Sequence, residues 1–149
     1  MSVTLLVAEP GWRRVRGLSA RLKRAARIAL ERGGHRGGAL TLLLADDARL
    51  HALNLGFRAS DKPTNVLSFP ARRPDYLGDV AMAYGVTRRE AREQGKTFSD
   101  HATHLAVHGV LHLLGYDHET ASAAGIMEPL EVAILGELGI GDPYARKAA

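Results

Sequence analysis

The stretch His108-Gly109-Val110-Leu111-His112-Leu113-Leu114-Gly115-Tyr116-Asp117-His118 decides how this chain is read. Its histidines follow the spacing H-x3-H-x5-H. Residues four apart on an α-helix lie one above the other, with Cβ atoms roughly 5–6 Å apart. His108 and His112 therefore aim their rings at one point, while Leu111 and Leu114 fall on a neighbouring side that should be buried. Gly115 is suited to end the helix, because glycine adopts the left-handed conformation without a Cβ penalty. The chain can then turn back and bring His118 to the same point. Three neutral imidazoles around one cation, with a fourth position open to water, form the arrangement of a catalytic zinc.

The same layout resembles the long zincin signature H-E-x-x-H-x-x-G-x-x-H, including its glycine. Position 109, where a protease carries its glutamate base, is glycine here. Glycine moves no proton, so a hydrolytic site would depend on the metal or on a base from elsewhere. A closed structural site would need a fourth protein ligand. The chain has no cysteine, which leaves Asp117 or His104 for that place. Otherwise these two are residues that orient the ligands from behind; for His104, a simple hydrogen-bonded, half-buried histidine is the alternative. His101 is expected to be a surface residue.

The chain has 149 residues, enough for one domain (1–149) with a proper core, and its hydrophobic fraction of 46% is ordinary. No apolar run approaches the ~20 residues that span a bilayer, and the N-terminus lacks the basic start of a signal peptide. A cytoplasmic protein without disulfides is the expectation. The net charge is +4 and the sequence pI is about 9.8. Through Arg36 there are nine Lys/Arg against two acids; beyond it there are eleven against fourteen. Such a basic stretch suits an anionic partner such as nucleic acid. Arginines far outnumber lysines, so a solvated helix face in an arginine-biased protein is the plainer reading.

The rest reads as strand Val3–Ala8, helix Trp12–Arg32, buried strand Ala39–Ala45, and a helix capped by Asp46 that runs to Leu55 or Gly56. Strand Val66–Phe69, stopped by Pro70, and strand Leu77–Tyr84 follow, joined by a short basic loop and therefore antiparallel. Then come helix Thr87–Gln94, a helix from Ser99 or Asp100 to Leu114, and helix Ser122–Leu138 with Ile126, Leu130, Ile134 and Leu138 inward and Pro129 bending or delaying its first turns. The tail 146–149 is expected to fray. Arg13, Arg16, Arg24 and Arg27 form a basic stripe on the first helix. With Arg72 and Arg73 of the loop, they are the candidate RNA contacts. Tyr76, Tyr84 and Tyr116 are the candidate stacking aromatics, each equally well read as a core or rim residue. This order predicts a single α/β (α+β) domain, with a small mixed four-stranded sheet covered by helices.

These residues carry a resemblance. The segments Leu53–Arg58, Asp61–Pro70, Leu77–Val80 and His104–His118 resemble the YbeY family of bacterial metal-dependent endoribonucleases, over about Leu42 to Tyr144. The resemblance implies a zincin-like fold, one zinc ion held by His108, His112 and His118, and a functionally important Arg58. It also implies a single-strand-specific endoribonuclease acting in 16S rRNA 3′-end maturation and ribosome quality control. The implied partners are the small ribosomal subunit and assembly factors such as the GTPase Era. Zinc held by three imidazoles lowers the pKa of water toward ~7 and polarises a phosphate oxygen. The planar fork of Arg58 suits a phosphate; its structural alternative is an ion pair with a carboxylate such as Asp79. Two other functions are consistent with the residues: a zinc hydrolase acting on an amide or peptide bond, and a non-catalytic ribosome assembly factor with a structural metal.

Overall fold

The computed structural model describes residues 2–35, 37–71 and 73–145. Four strands, β1 (Ser2–Val7), β2 (Ala39–Ala45), β3 (Val66–Pro70) and β4 (Tyr76–Ala83), form one sheet in the order β1-β2-β4-β3. β1 and β4 both run parallel to β2, and β3 is antiparallel to β4, as the short loop between them requires. The apolar run of β2 therefore sits inside the sheet, with helices over both faces. Pro70 does not stop β3 short but is its last residue; it is tolerated there because β3 is an edge strand.

Alternation along the strands sorts the core into two layers. Leu40, Leu42, Leu44, Val80 and Met82 face the larger layer, which holds α1 (Leu18–Arg32), α4 (Phe98–Leu113) and α5 (Ala121–Glu137). Ala45, Leu67, Ala81 and Ala83 face the other, covered by Leu50 and Leu53 of α2 (Asp47–Arg58). The remaining helix, α3 (Tyr84–Glu93), follows β4 and packs against α4.

Several element ends differ from the sequence reading. The first helix is broken. Pro10–Arg14 is a single 3-10 segment, Val15 is extended, and α1 starts only after Gly17. Arg13 and Arg16 therefore lie ahead of the helix and share no stripe with Arg24 and Arg27. Trp12 is buried all the same, and its indole N–H donates to the Ala45 carbonyl at 2.9 Å. Thr97, rather than Ser99 or Asp100, caps α4, and its side chain accepts from the Asp100 N–H. Asp46 does cap α2, accepting from the Arg49 N–H, but the helix runs on to Arg58. In α5 the inner positions are Met127, Glu131, Ile134 and Leu135, whereas Ile126 is 61% exposed. Leu130 and Leu138 are partly buried against the core and Ile134 is fully buried, as the spacing requires, so only the first position of the pattern differs. Pro129 sits inside α5 without interrupting it.

Helix α4 lies unusually close to the sheet at Gly109. A Cβ there would stand 2.6 Å from Val80 Cγ1 and 3.2 Å from Val66 Cγ2. The Gly109 carbonyl accepts a 2.7 Å hydrogen bond from the Ser68 hydroxyl of β3. Position 109 therefore has no room for a glutamate, which accounts structurally for the missing protease base. Overpacking of this kind costs about 1–3 kcal/mol, against about 1 kcal/mol gained when alanine replaces glycine in a helix. Gly109→Ala should therefore be net destabilising in urea unfolding, and Gly109→Glu, which would press a carboxylate on two valines, markedly more so.

Candidate metal centre

The cluster forms as the histidine spacing requires. Each of His108, His112 and His118 offers one nitrogen, and the three nitrogens lie within 4.8 Å of one another. His108 Nε2 and His112 Nε2 are 3.0 Å apart. The His118 ring centroid lies 5.1 Å from that of His108 and 5.4 Å from that of His112. Gly115, at φ 97, makes the turn that brings His118 back. Burial, with the neighbouring His108 and His118 next, pushes the pKa of His112 down to about 4. Its ring is neutral at physiological pH and has a lone pair to give. Three convergent imidazoles, one of them held neutral, fit a divalent cation of the zinc type.

Neither candidate for a fourth protein ligand groups with all three histidines. Asp117 turns its carboxylate to the backbone N–H of Glu119, at 3.2 Å, and shapes the turn rather than orienting a histidine. His104 Nε2 faces a carboxylate the sequence reading did not single out, Glu131 of α5, at 2.7 Å. Glu131 is completely buried, and its other oxygen meets His108 Nδ1 at 3.2 Å. Burial raises the pKa of Glu131, but the hydrogen bonds with His104 and His108 outweigh it and hold the value at about 2. The Tyr144 hydroxyl donates to the same carboxylate at 2.9 Å. Glu131 could have been found only through its spacing to Met127, Ile134 and Leu135, which puts it on the buried side of α5.

The histidine cluster opens onto a cavity of about 800 Å³. Arg58 lines it from the end of α2, its guanidinium donating to the Ser68 carbonyl at 2.9 Å. It makes no ion pair with Asp79, which instead bonds Tyr76. Lys96 is the other cation on the cavity wall among the described residues. Arg13, Arg16, Arg24, Arg27 and Arg73 are exposed and do not line the cavity, and Arg72 lies outside the described residues, as do 146–149. Tyr76, Tyr84 and Tyr116 are also absent from its wall. Tyr84 packs on Trp12 and Phe98, Tyr116 donates to the Gly33 carbonyl, and Tyr76 bonds Thr41 on β2. The tyrosine at the cavity is Tyr144.

His101 is a further correction. It is 3% exposed, and its Nε2 bonds Glu90 at 3.0 Å. Asn65 donates to the same Glu90 oxygen at 3.0 Å. Helix α3 packs over this edge of α4 and buries what the sequence alone would leave at the surface.

An α/β domain built around three convergent histidines that could hold a metal ion, at an open cavity, is the class that fold and site define. The chain belongs to the YbeY endoribonuclease family, whose model matches residues 15–139. It is 56% identical over 115 residues to an Endoribonuclease YbeY of Rhodopseudomonas palustris (strain BisA53), covering 71% of this chain and 67% of that one. A relative of the same name in Chelativorans sp. (strain BNC1) is 51% identical over 138 residues, 88% of this chain and 83% of that one. Matches to the Rhodopseudomonas relatives span 61–68% of their lengths. The solution structure of TM1509 from Thermotoga maritima superposes with a TM-score of 0.60 at 25% identity, over 97% of this chain and 99% of that one. No helix among the described residues is long and apolar enough to cross a membrane.

The Glu90 cluster has a pH signature. The hydrogen bond with His101, aided by Asn65 and opposed by burial, holds the Glu90 carboxyl below its ordinary value of 4.5. The unfolded chain therefore binds the proton first as pH falls, so the stability Glu90 contributes is present above about pH 4.5 and is lost below it. Acid titration of urea stability should show a shallower loss below that pH in Glu90→Gln than in the parent.

Proposed function

We propose that this protein is a metal-dependent endoribonuclease that cleaves single-stranded RNA, with one zinc ion held by His108, His112 and His118. The observation that carries the reading is the placing of three convergent imidazole nitrogens and the Arg58 side chain on the wall of one open cavity. Membership of the YbeY family supports the endoribonuclease activity. The bound cation would supply Lewis acidity toward a phosphate oxygen and lower the pKa of water. Arg58 would hold the phosphate through its donor fork and offset charge that develops during cleavage. Its guanidinium already spends one donor on the Ser68 carbonyl, which fixes its direction. A recessed site of this kind is reached by one strand more readily than by a duplex. The finer parts of the proposal are action at the 3′ end of 16S rRNA, ribosome quality control, company with the small ribosomal subunit and the GTPase Era, and a cytoplasmic location.

The other two readings are less well supported. A peptidase of zincin type would need a glutamate at 109, where Val80 and Val66 leave no room. A purely structural metal would need a closed ligand set, whereas Asp117 and His104 are both engaged elsewhere.

A 5′-labelled single-stranded RNA should be cut by the metal-loaded protein, and folded His112→Ala should fall to background. Arg58→Ala should lose on the order of 10²-fold in kcat, as for removal of one electrostatic donor, with partial recovery in Arg58→Lys. Equal cleavage by parent and His112→Ala would sink the proposal. A 2′,3′-cyclic phosphate product would identify the 2′-hydroxyl, rather than water, as the attacking group.

A further inference from the structure

Glu131 is completely buried, yet no lysine or arginine among the described residues pairs with it. Its partners come from two parts of the chain. His104 and His108 project from α4, and Tyr144 comes from the segment after α5. One carboxylate oxygen takes His104 Nε2 and the Tyr144 hydroxyl; the other takes His108 Nδ1. Buried carboxylates are tolerated when hydrogen bonds and a nearby positive charge compensate them. Here the compensation lies through the imidazole of His108. Its Nδ1 faces Glu131, and its Nε2 faces His112.

We infer that Glu131 and Tyr144 are positioning residues of the metal centre, with His104 as their support. By accepting the Nδ1–H of His108, Glu131 fixes the tautomer that leaves the Nε2 lone pair directed at the metal position, and it raises the basicity of that ligand. Tyr144 and His104 pin the opposite oxygen, so the carboxylate cannot swing away. Burial, then the charge of Glu131, raises the pKa of the Tyr144 phenol, which keeps it a donor. His104 meets the carboxylate through Nε2, and its buried Nδ1 has no hydrogen-bond partner among the described residues. The segment after α5 is thereby part of the metal site, although it supplies no ligand. This inference rests on the three histidines binding a metal and is independent of RNA cleavage.

The test uses metal-free full chain, titrated with Zn²⁺ against a competing chelator dye and with Co²⁺ by its visible absorption. The parent should bind one ion. Glu131→Gln should weaken affinity by about 10–100-fold, the usual effect of losing such a partner. Tyr144→Phe, which removes one of three donors, should weaken it by less. In both variants the metal-induced rise in Tm should shrink, while metal-free Tyr144→Phe melts close to the parent. Should Glu131→Gln fail to fold, Tyr144→Phe, at a position 42% exposed, carries the test. Parent-like Zn²⁺ affinity in the variants, with Tm lowered equally with and without metal, would show a merely structural role and overturn the inference. Two ions per parent chain would overturn it as well, because His104, His108 and Glu131 also place ligand atoms within 4.8 Å of one another. A parent that bound neither ion would remove the metal reading beneath it, whatever the RNA assay gave.

Discussion

Helix α4 is enclosed on nearly every side, and a helix so placed must find company for each polar side chain it carries. The sheet, α1, α3 and α5 all pack against it. Ten of its residues are buried, so its histidines have one edge left to them. Along that edge His101 meets Glu90, His104 meets Glu131, and His108 and His112 meet each other and His118. The edge runs from His101, paired with a partly exposed Glu90, to the three-histidine group at the other end. The electrostatics follow the same order. Carboxylates hold His101, His104 and His108, whereas His112 bonds the imidazole of His108.

Much of this was legible in the chain, for a definite reason. The i, i+4 spacing of His108 and His112, the turn at Gly115 and the return to His118 are local geometry, and local geometry is written in consecutive residues. So are the apolar run of β2 and the cap at Asp46. What stayed hidden depends on which distant element packs where. The burial of His101 comes from α3, and that of Glu131 from the packing of α5 against α4. The break at Val15 and Gly17 was masked because Trp12 is buried on either reading. Which basic residues stand at the cavity depends on packing for the same reason. Clustering in sequence makes Arg13, Arg16, Arg24 and Arg27 prominent, whereas the cations that line the cavity are Arg58 and Lys96.

The division of labour around the cavity is economical. Strand β3 supplies part of the wall, α2 delivers one guanidinium, and α4 delivers two imidazoles in fixed register. The Ser68 of β3 touches both sides of this arrangement. Its hydroxyl donates to the Gly109 carbonyl of α4, and its own carbonyl accepts from Arg58. A shift of β3 along the sheet would therefore move the cation and the metal helix together, keeping their separation.

The tight seat of Gly109 also bears on how such a domain can change over generations. In a zincin the catalytic glutamate occupies the position after the first histidine, and a single codon change would place one here. The side chain would meet Val80 and Val66 before it met solvent. The sheet would first have to give up bulk at those valines, each of which is useful to the core in the meantime. The path from this centre to protease-like chemistry thus begins with substitutions in the strands, which by themselves only loosen the fold. That valley separates two chemistries whose metal-binding spacings are nearly the same.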